Sequence, residues 1–404
     1  MIPRPYQEVG RDFLAARRHA LLADQMRVGK TPQAILAADK VSAQNVLVLC
    51  PAIATYQWRA EWAAWSPERP PAFILGREAP IHFRGVVIAS YNRGMQHLEA
   101  LCKQRWDVFI PDEAHYAKNP EAGRTKMVYG KGGLGWASDR IWALTGTPTP
   151  NHAGEVWPML RAYGVVKMTY LEFISYFCYY DWQQQRVLGN KLSTLSELRA
   201  LMASVVLRRT RKEVAPEMPE IGYSFLNLAP VAGVDLPSED LSAIDEEDRI
   251  AVTSAMVPGL AAEIIEQISL GTYAQTVVFG YHIAPLEQLR QRLHAAGISA
   301  ELLTGRTTPA QRQQIQAMFR AGAIQVVIGQ IIAAGVAIDL SAASHGYLLE
   351  MDWVPGNNEQ AASRMVNLQT REPVTVDVVT WPGTVLDAVQ RTLLRKVQGA
   401  LFRS

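Results

Sequence analysis

Short, nearly unbroken apolar runs alternate with longer amphipathic segments along this chain, in two blocks. The first block carries Val46–Cys50, Val86–Ser90, Val108–Pro111 and Ile141–Thr145; the second carries Thr276–Gly280, Ala300–Leu303, Gln325–Ile328, Gly346–Leu349 and Val374–Val379. A strand covered on both faces has no polar side to show. Continuous Val/Ile/Leu runs of this length, bounded by Pro, Gly, Asp or Thr, therefore predict buried parallel strands. Helical segments such as Ile283–Ala296 and Pro309–Ala321 lie between them, so the expected class is α/β.

A chain of 404 residues gives a prior of two or three domains. Prolines 216, 219, 230 and 237 and the acidic run Ser238–Arg249 interrupt the alternation. The expected division is a first domain over residues 1–220, a linker over 221–250 and a second domain over 251–404. Within the first, about 162–204 is aromatic-rich (YLEFISYFCYYDWQQQ), lacks strand–helix alternation and reads as a helical appendage.

Charged residues make up 19% of the chain, below the roughly 25% of an average soluble protein, which fits a large core. The net charge of +2 excludes a histone-like polycation but not a local basic groove. Three scattered cysteines (Cys50, Cys102, Cys178) suit neither a disulfide scaffold nor a zinc cluster. The N-terminus has no apolar h-region, and the most apolar stretch, Ile324–Leu340, is broken by Gln and Gly. The expectation is a chain that is not secreted and not in a membrane, cytoplasmic or nucleoid-associated.

Asp24–Thr31 reads DQMRVGKT after the apolar Leu21–Ala23. A turn ending in Gly-Lys-Thr between strand and helix suits a phosphate-binding loop. Gly29 lets backbone approach phosphate, Lys30 would reach the β- and γ-phosphates, and the Thr31 hydroxyl would bind Mg²⁺. Asp24 stands where the full pattern has its first glycine, and such tripeptides also arise by chance. Downstream, Asp107–Pro111 runs into Asp112-Glu113-Ala114-His115. Asp112 would hold the metal, and Glu113 would orient and deprotonate a water. Alone it could be a solvated acidic turn, but with Lys30 upstream the pair points to Mg-nucleotide chemistry. His115 has no second His or Cys at metal spacing, which favours a structural link. Leu144-Thr145-Gly146-Thr147-Pro148 alone would read as an ordinary Pro-Gly turn.

Together, these three strings resemble motifs I, II and III of the superfamily-two helicase-like ATPases, specifically the SWI/SNF-type DNA translocases. The resemblance extends over residues 4–396. Arg4-Pro5-Tyr6-Gln7 looks like the upstream adenine-reading element, with Gln7 on the base edge. Val48-Leu49-Cys50-Pro51 with Trp58 and Glu61-Trp62 resembles motif Ia, and Leu207–Val214 (LRRTRKEV) the element that closes the first lobe. Thr304-Gly305, Arg312 and Phe319 follow the second-lobe spacing. Ile338-Asp339-Leu340 resembles motif V, and Trp353 through Arg364 the approach to motif VI. The resemblance implies two RecA-like parallel-sheet lobes, with ATP and Mg²⁺ between them and double-stranded DNA crossing both. Lys30, Asp112, Glu113 and Arg364 would be catalytic, and Gln7, Gly29, Lys30, Thr31 and Arg364 would hold nucleotide. The implied activity is ATP-driven movement on, or remodelling of, duplex DNA.

Three departures qualify this. The second arginine of motif VI falls on Asn367, with Arg371 a turn beyond as a substitute if the helix continues. The AGGVG-like run of motif V is here Ala333-Ala334-Gly335-Val336-Ala337, and Arg27 stands at a motif I glycine. The alternative they raise is an ATP-responsive DNA clamp whose hydrolysis is weak or depends on a protein partner. A strand-separating helicase would need a wedge, for which the sequence offers no obvious insertion. Without a long basic run, DNA contacts must be assembled by folding. Candidates are Arg93, Lys118, Arg124, Lys126, Thr147, Arg306, Arg312 and Arg371, then Arg208–Lys212. The aromatic run Phe173–Trp182 could stack on bases but at helical spacing is more often core.

Overall fold

In a computed structural model of the protein, residues 1–78, 82–148, 151–228, 245–335, 338–381, 384 and 387 are described. The chain divides into two compact units with the break between Val214 and Ala215.

The first unit is built on a parallel seven-stranded sheet. Its strands are β1 (His19–Leu22), β2 (Val46–Cys50), β3 (Phe73–Ile74), β4 (Val86–Ser90), β5 (Val108–Pro111), β6 (Ile141–Leu144) and, after an intervening hairpin, β9 (Val206–Leu207). The order is β3-β4-β2-β5-β6-β1-β9. All five residues of β2 and of β4 are buried, as the continuous apolar runs require. Helices α1 (Pro5–Ala15), α2 (Lys30–Lys40) and α3 (Thr55–Trp65) are among those that connect and cover the strands. Trp58, Trp62, Trp106 and Trp142 are fully buried.

The expected helical appendage is corrected. Helices Tyr170–Phe177 and Leu195–Met202 flank an antiparallel hairpin, β7 (Cys178–Asp181) with β8 (Arg186–Asn190). A bulge lies at Tyr179/Tyr180, which is why a simple alternation does not announce the strands. The aromatic run divides accordingly: Phe173 and Phe177 are core, whereas Tyr176, Tyr179 and Trp182 are exposed.

The second unit carries a parallel six-stranded sheet of β10 (Ile221–Asn227), β11 (Thr276–Gly280), β12 (Ala300–Leu303), β13 (Val326–Gln330), β14 (His345–Leu348) and β15 (Val374–Thr380). Its order is β10-β15-β14-β11-β13-β12. The expected linker over 221–250 is therefore wrong at both ends. Ile221–Asn227 pairs in register with Val374–Thr380, and a 24-residue helix runs over Glu246–Ser269 behind a capping box of Asp245 and Asp248. Residues 229–244 of that expectation lie outside the described residues. As an edge strand, β10 leaves five of its seven residues exposed, so it lacks the apolar run of a central strand.

Candidate nucleotide site

In a parallel sheet the C-terminal strand ends form the ligand-binding edge. The first unit places there the loop after β1, the carboxylate pair after β5 and the Ser/Thr turn after β6.

The loop Asp24–Gly29 leads directly into α2, whose first residue is Lys30. Gly29 caps that helix in the left-handed conformation (φ 78°), and a Cβ there would lie 2.5 Å from Gln7 Nε2. Only glycine fits both demands. Arg27 is also left-handed, at φ 71°, which costs a non-glycine residue about 1–2 kcal/mol. Lys30 Nζ donates to the carbonyls of Asp24 (2.9 Å) and Gln25 (3.3 Å), which occupy positions that phosphate oxygens would contest. Thr31 lies beside it in the first helical turn.

A buried network fixes the loop from behind. Asp24, fully buried, accepts from Arg209 Nε at 3.0 Å and Nη2 at 2.5 Å. Arg209 also donates to Gln33 Oε1 (2.8 Å) and to the Tyr6 carbonyl (2.7 Å), and Gln33 Nε2 donates to the Gly29 carbonyl (3.0 Å). The Asp24 that spoils the glycine pattern is thus the anchor of the loop. Gln7, on α1, is buried against this loop, and its Oε1 accepts from Arg4 N at 2.9 Å.

Asp112 follows β5, its N–H donating to the Leu49 carbonyl at 2.7 Å. Its Oδ2 accepts from the Trp58 indole at 2.7 Å, its Oδ1 from the Glu113 N–H at 2.9 Å, and its carbonyl from Tyr91 Oη at 2.9 Å. Burial, and then the Glu113 charge, push the Asp112 carboxyl up to about 6 against these hydrogen bonds. Glu113 has a left-handed backbone (φ 48°) and pairs with His115 Nδ1 at 3.3 Å. The same nitrogen meets Thr145 Oγ1 at 3.1 Å, and Thr145 Oγ1 accepts from Thr147 N at 3.1 Å. His115 therefore links the carboxylates to the turn after β6. That turn closes on the loop: a Cβ on Gly146 would lie 2.7 Å from Met26 Cγ and 3.5 Å from Lys30 Nζ.

Magnesium triphosphate fits this donor set. An ammonium and two adjacent carboxylates meet here with the Thr31 hydroxyl in the same loop, and a cation would offset both the burial and the Glu113 charge that disfavour an ionised Asp112.

Sequence reasoning missed Trp58 and Tyr91 as the holders of Asp112, and Arg209 as the holder of Asp24. The Trp58 and Arg209 strings were visible, but not the partners, which lie 54 and 185 residues away.

The expected DNA contacts have these local partners. Lys118 pairs with the buried Glu155 at 2.7 Å. Arg312 is buried, donating to the carbonyls of Thr304 (2.6 Å), Ala333 (2.9 Å) and Thr307 (3.2 Å), and burial pushes its pKa down to about 10. In the cluster Arg208–Lys212, Arg209 braces the loop and Arg211 is buried. Arg93 bonds Gln96, Arg124 bonds Asn92, and Lys126 pairs with Glu121, all near the surface. Thr147 is half-buried and Arg306 exposed.

In the second unit both Nε and Nη2 of Arg364 donate to the Gly335 carbonyl. Asn367 Nδ2 donates to Ser341 Oγ (2.6 Å) and Asp339 Oδ2 (3.2 Å), while its Oδ1 accepts from the N–H groups of Gln369 and Thr370. The helical turn ends at Met365, with Val366 extended, so Arg371 is not on a continuing helix; it donates to the carbonyls of Leu368 and Thr370. Ala334 sits at the end of the helix Ile331–Ala334, where a Cβ is no burden; Val336 and Ala337 lie outside the described residues.

Residues 6–229 match the SNF2-related domain. The chain belongs to the SNF2-related family. Residues 260–368 match the helicase conserved C-terminal domain. Curated relatives include the mouse DNA annealing helicase and endonuclease ZRANB3, 26% identical over 98% of this chain and 40% of that protein. Another is the Xenopus laevis SWI/SNF-related matrix-associated actin-dependent regulator of chromatin subfamily A-like protein 1, 24% identical over 98% of this chain and 43% of that protein. The chain thus spans about two fifths of the length of these relatives. Among solved structures, the Sulfolobus solfataricus SWI2/SNF2 ATPase core in complex with dsDNA has a similar fold. Its TM-score is 0.50 at 20% identity, covering 98% of this chain and 92% of that one. Among the described residues no helix is long and apolar enough to cross a membrane.

Proposed function

We propose that this protein is a DNA-dependent ATPase that couples ATP hydrolysis to movement on, or remodelling of, duplex DNA. The observation that carries the reading is the convergence of Lys30, Gly146 and the Asp112–Glu113 pair at one edge of the first sheet. The mouse DNA annealing helicase and the Sulfolobus ATPase core in complex with dsDNA, to which the chain is similar, support DNA as the polymer.

Lys30 would exchange its carbonyl partners for the β- and γ-phosphates. Thr31 and Asp112 would hold Mg²⁺, which supplies charge neutralisation on the phosphates. Glu113 would take the proton of the attacking water, with His115 fixing its orientation against Thr145. Gln7 would face the adenine, Arg364 the phosphates, and Arg93, Thr147 and Arg306 the DNA backbone.

A second reading is favoured by one observation: Asn367 is uncharged and engaged in local capping hydrogen bonds. It is an ATP-responsive clamp on DNA that turns over slowly or with a protein partner. Phosphate release measured without nucleic acid and with duplex DNA, single-stranded DNA or RNA tests both. The motor gives release stimulated most by the duplex and lost in Lys30→Ala. ATP-dependent DNA retention with little release gives the clamp, and neither response overturns the proposal.

A further inference from the structure

We propose that the outward face of the β7–β8 hairpin is a binding site for an unpaired stretch of DNA, whose bases stack on Tyr179 and Trp182. The polymer is that of the proposed function; the site and the unpaired state of the strand go beyond it, and neither depends on the nucleotide loop.

The hairpin is a two-stranded sheet of its own, apart from the seven strands of the first unit. A ribbon that small is marginal unless one face packs on something. Its inner face does so. Tyr180 and Val187 lie directly opposite each other and pack, with Cys178, on the core that holds Phe173 and Phe177. The returning strand is pinned as well: Asn190 Oδ1 accepts from the Ala153 N–H at 2.6 Å, and Lys191 Nζ donates to the Ser175 carbonyl at 2.6 Å.

Folding does not account for the outer face. Tyr179 is 58% exposed and Trp182 63%, although rings of this size are among the side chains whose burial gains most. Tyr180 meets Trp182 edge-on, with ring centroids 5.0 Å apart, while Tyr179 pairs with no ring among the described residues. Directly across from Tyr179 stands Gly189. Its φ is not left-handed, so the backbone does not ask for glycine. A Cβ there would meet nothing within 4 Å, not even the Tyr179 ring. The glycine therefore leaves an open slot beside an exposed aromatic face.

The chemistry around the slot selects the occupant. Besides the two rings, the exposed residues of the hairpin are Gln183, Gln184, Gln185, Arg186 and a single aliphatic, Leu188. A nucleobase offers the complement: a flat face for a ring, polar edges for amides, and a phosphate for a guanidinium. The charge agrees. Over residues 178–191 Arg186 and Lys191 stand against one carboxylate, Asp181, whose Oδ1 accepts from the N–H groups of Gln183 (2.9 Å) and Gln184 (3.0 Å). Bases inside a duplex have their faces closed by their neighbours, so only an unpaired strand can stack in this way.

The test measures fluorescence anisotropy of the full chain without ATP on three labelled probes: an oligothymidylate, a blunt duplex, and the same duplex with an unpaired tail. The parent should hold the tailed duplex more tightly than the blunt one. Tyr179→Ala and Trp182→Ala should each weaken oligothymidylate binding about 5- to 150-fold, while Tyr179→Phe and Trp182→Phe stay near the parent. Gly189→Val, which fills the slot and removes neither ring, should weaken it too. All five variants should keep the parent's melting temperature and its affinity for the blunt duplex, which separates this site from the duplex reading. Parental oligothymidylate affinity in both alanine variants and in Gly189→Val would overturn the proposal, as would a loss shared equally by the blunt duplex. Self-association of the parent in sedimentation that is lost in Trp182→Ala, with oligothymidylate binding kept, would give the face to a protein and overturn it as well.

Discussion

The first and second units present their motif residues in opposite ways. At the strand ends of the first, side chains from three loops meet: the Lys30 ammonium, held by carbonyls of its own loop, lies by the turn at Gly146, and Asp112 sits beside Glu113 with its carboxyl pushed up to about 6. In the second, the corresponding charged and polar side chains close on their own backbone. Arg312 is shared by three carbonyls, Arg364 holds Gly335, and Asn367 caps the turn that follows it. The difference teaches that an arginine at a motif position is not thereby an arginine on a ligand. In the second unit these three motif side chains each hold local backbone.

Four substitutions would break or sharpen that contrast. Glu113→Gln should cost about 10²–10⁴ in the rate of phosphate release with ATP affinity kept; an unchanged rate would move the base elsewhere. Arg209→Ala leaves the buried Asp24 carboxylate with Gln33 but no cation beside it and should destabilise the first unit by about 3–5 kcal/mol in denaturant unfolding. Arg312→Ala strips three carbonyls of a donor and should destabilise the second unit by about 1–3 kcal/mol. The salt dependence of DNA binding should then stay as it was, whereas a shallower salt slope would return Arg312 to the DNA. Arg306→Ala should do the reverse, lowering the salt slope by about one with stability within about 0.5 kcal/mol of the parent.

The central strands were legible because burial on both faces writes itself as an unbroken apolar run, as in VLVLC and TVVFG. The edges were not: β3 and β9 have two residues each, and β10 alternates Tyr and Phe with polar neighbours inside what looked like a linker. Lys30, Asp112 and Glu113 stood out as candidates in the sequence, and the fold brings them to the strand ends of one sheet. What surrounds them was hidden, because a hydrogen bond between Trp58 and Asp112, or between Asp24 and Arg209, leaves no periodic trace in either segment. The same blindness hid the partners of Arg312 and Lys118, three carbonyls for the one and Glu155 for the other.

The sheet order of the first unit also sets a timetable. β1 lies between β6 and β9, so the segment bearing the phosphate loop has no neighbour on either side until chain far downstream arrives, and the Asp24–Arg209 brace joins residues 185 apart. Parallel pairing at such separation is slow and comes late. A ribosome would therefore release nearly the whole first unit before the strand leading into the Gly-Lys-Thr segment could pair with β9.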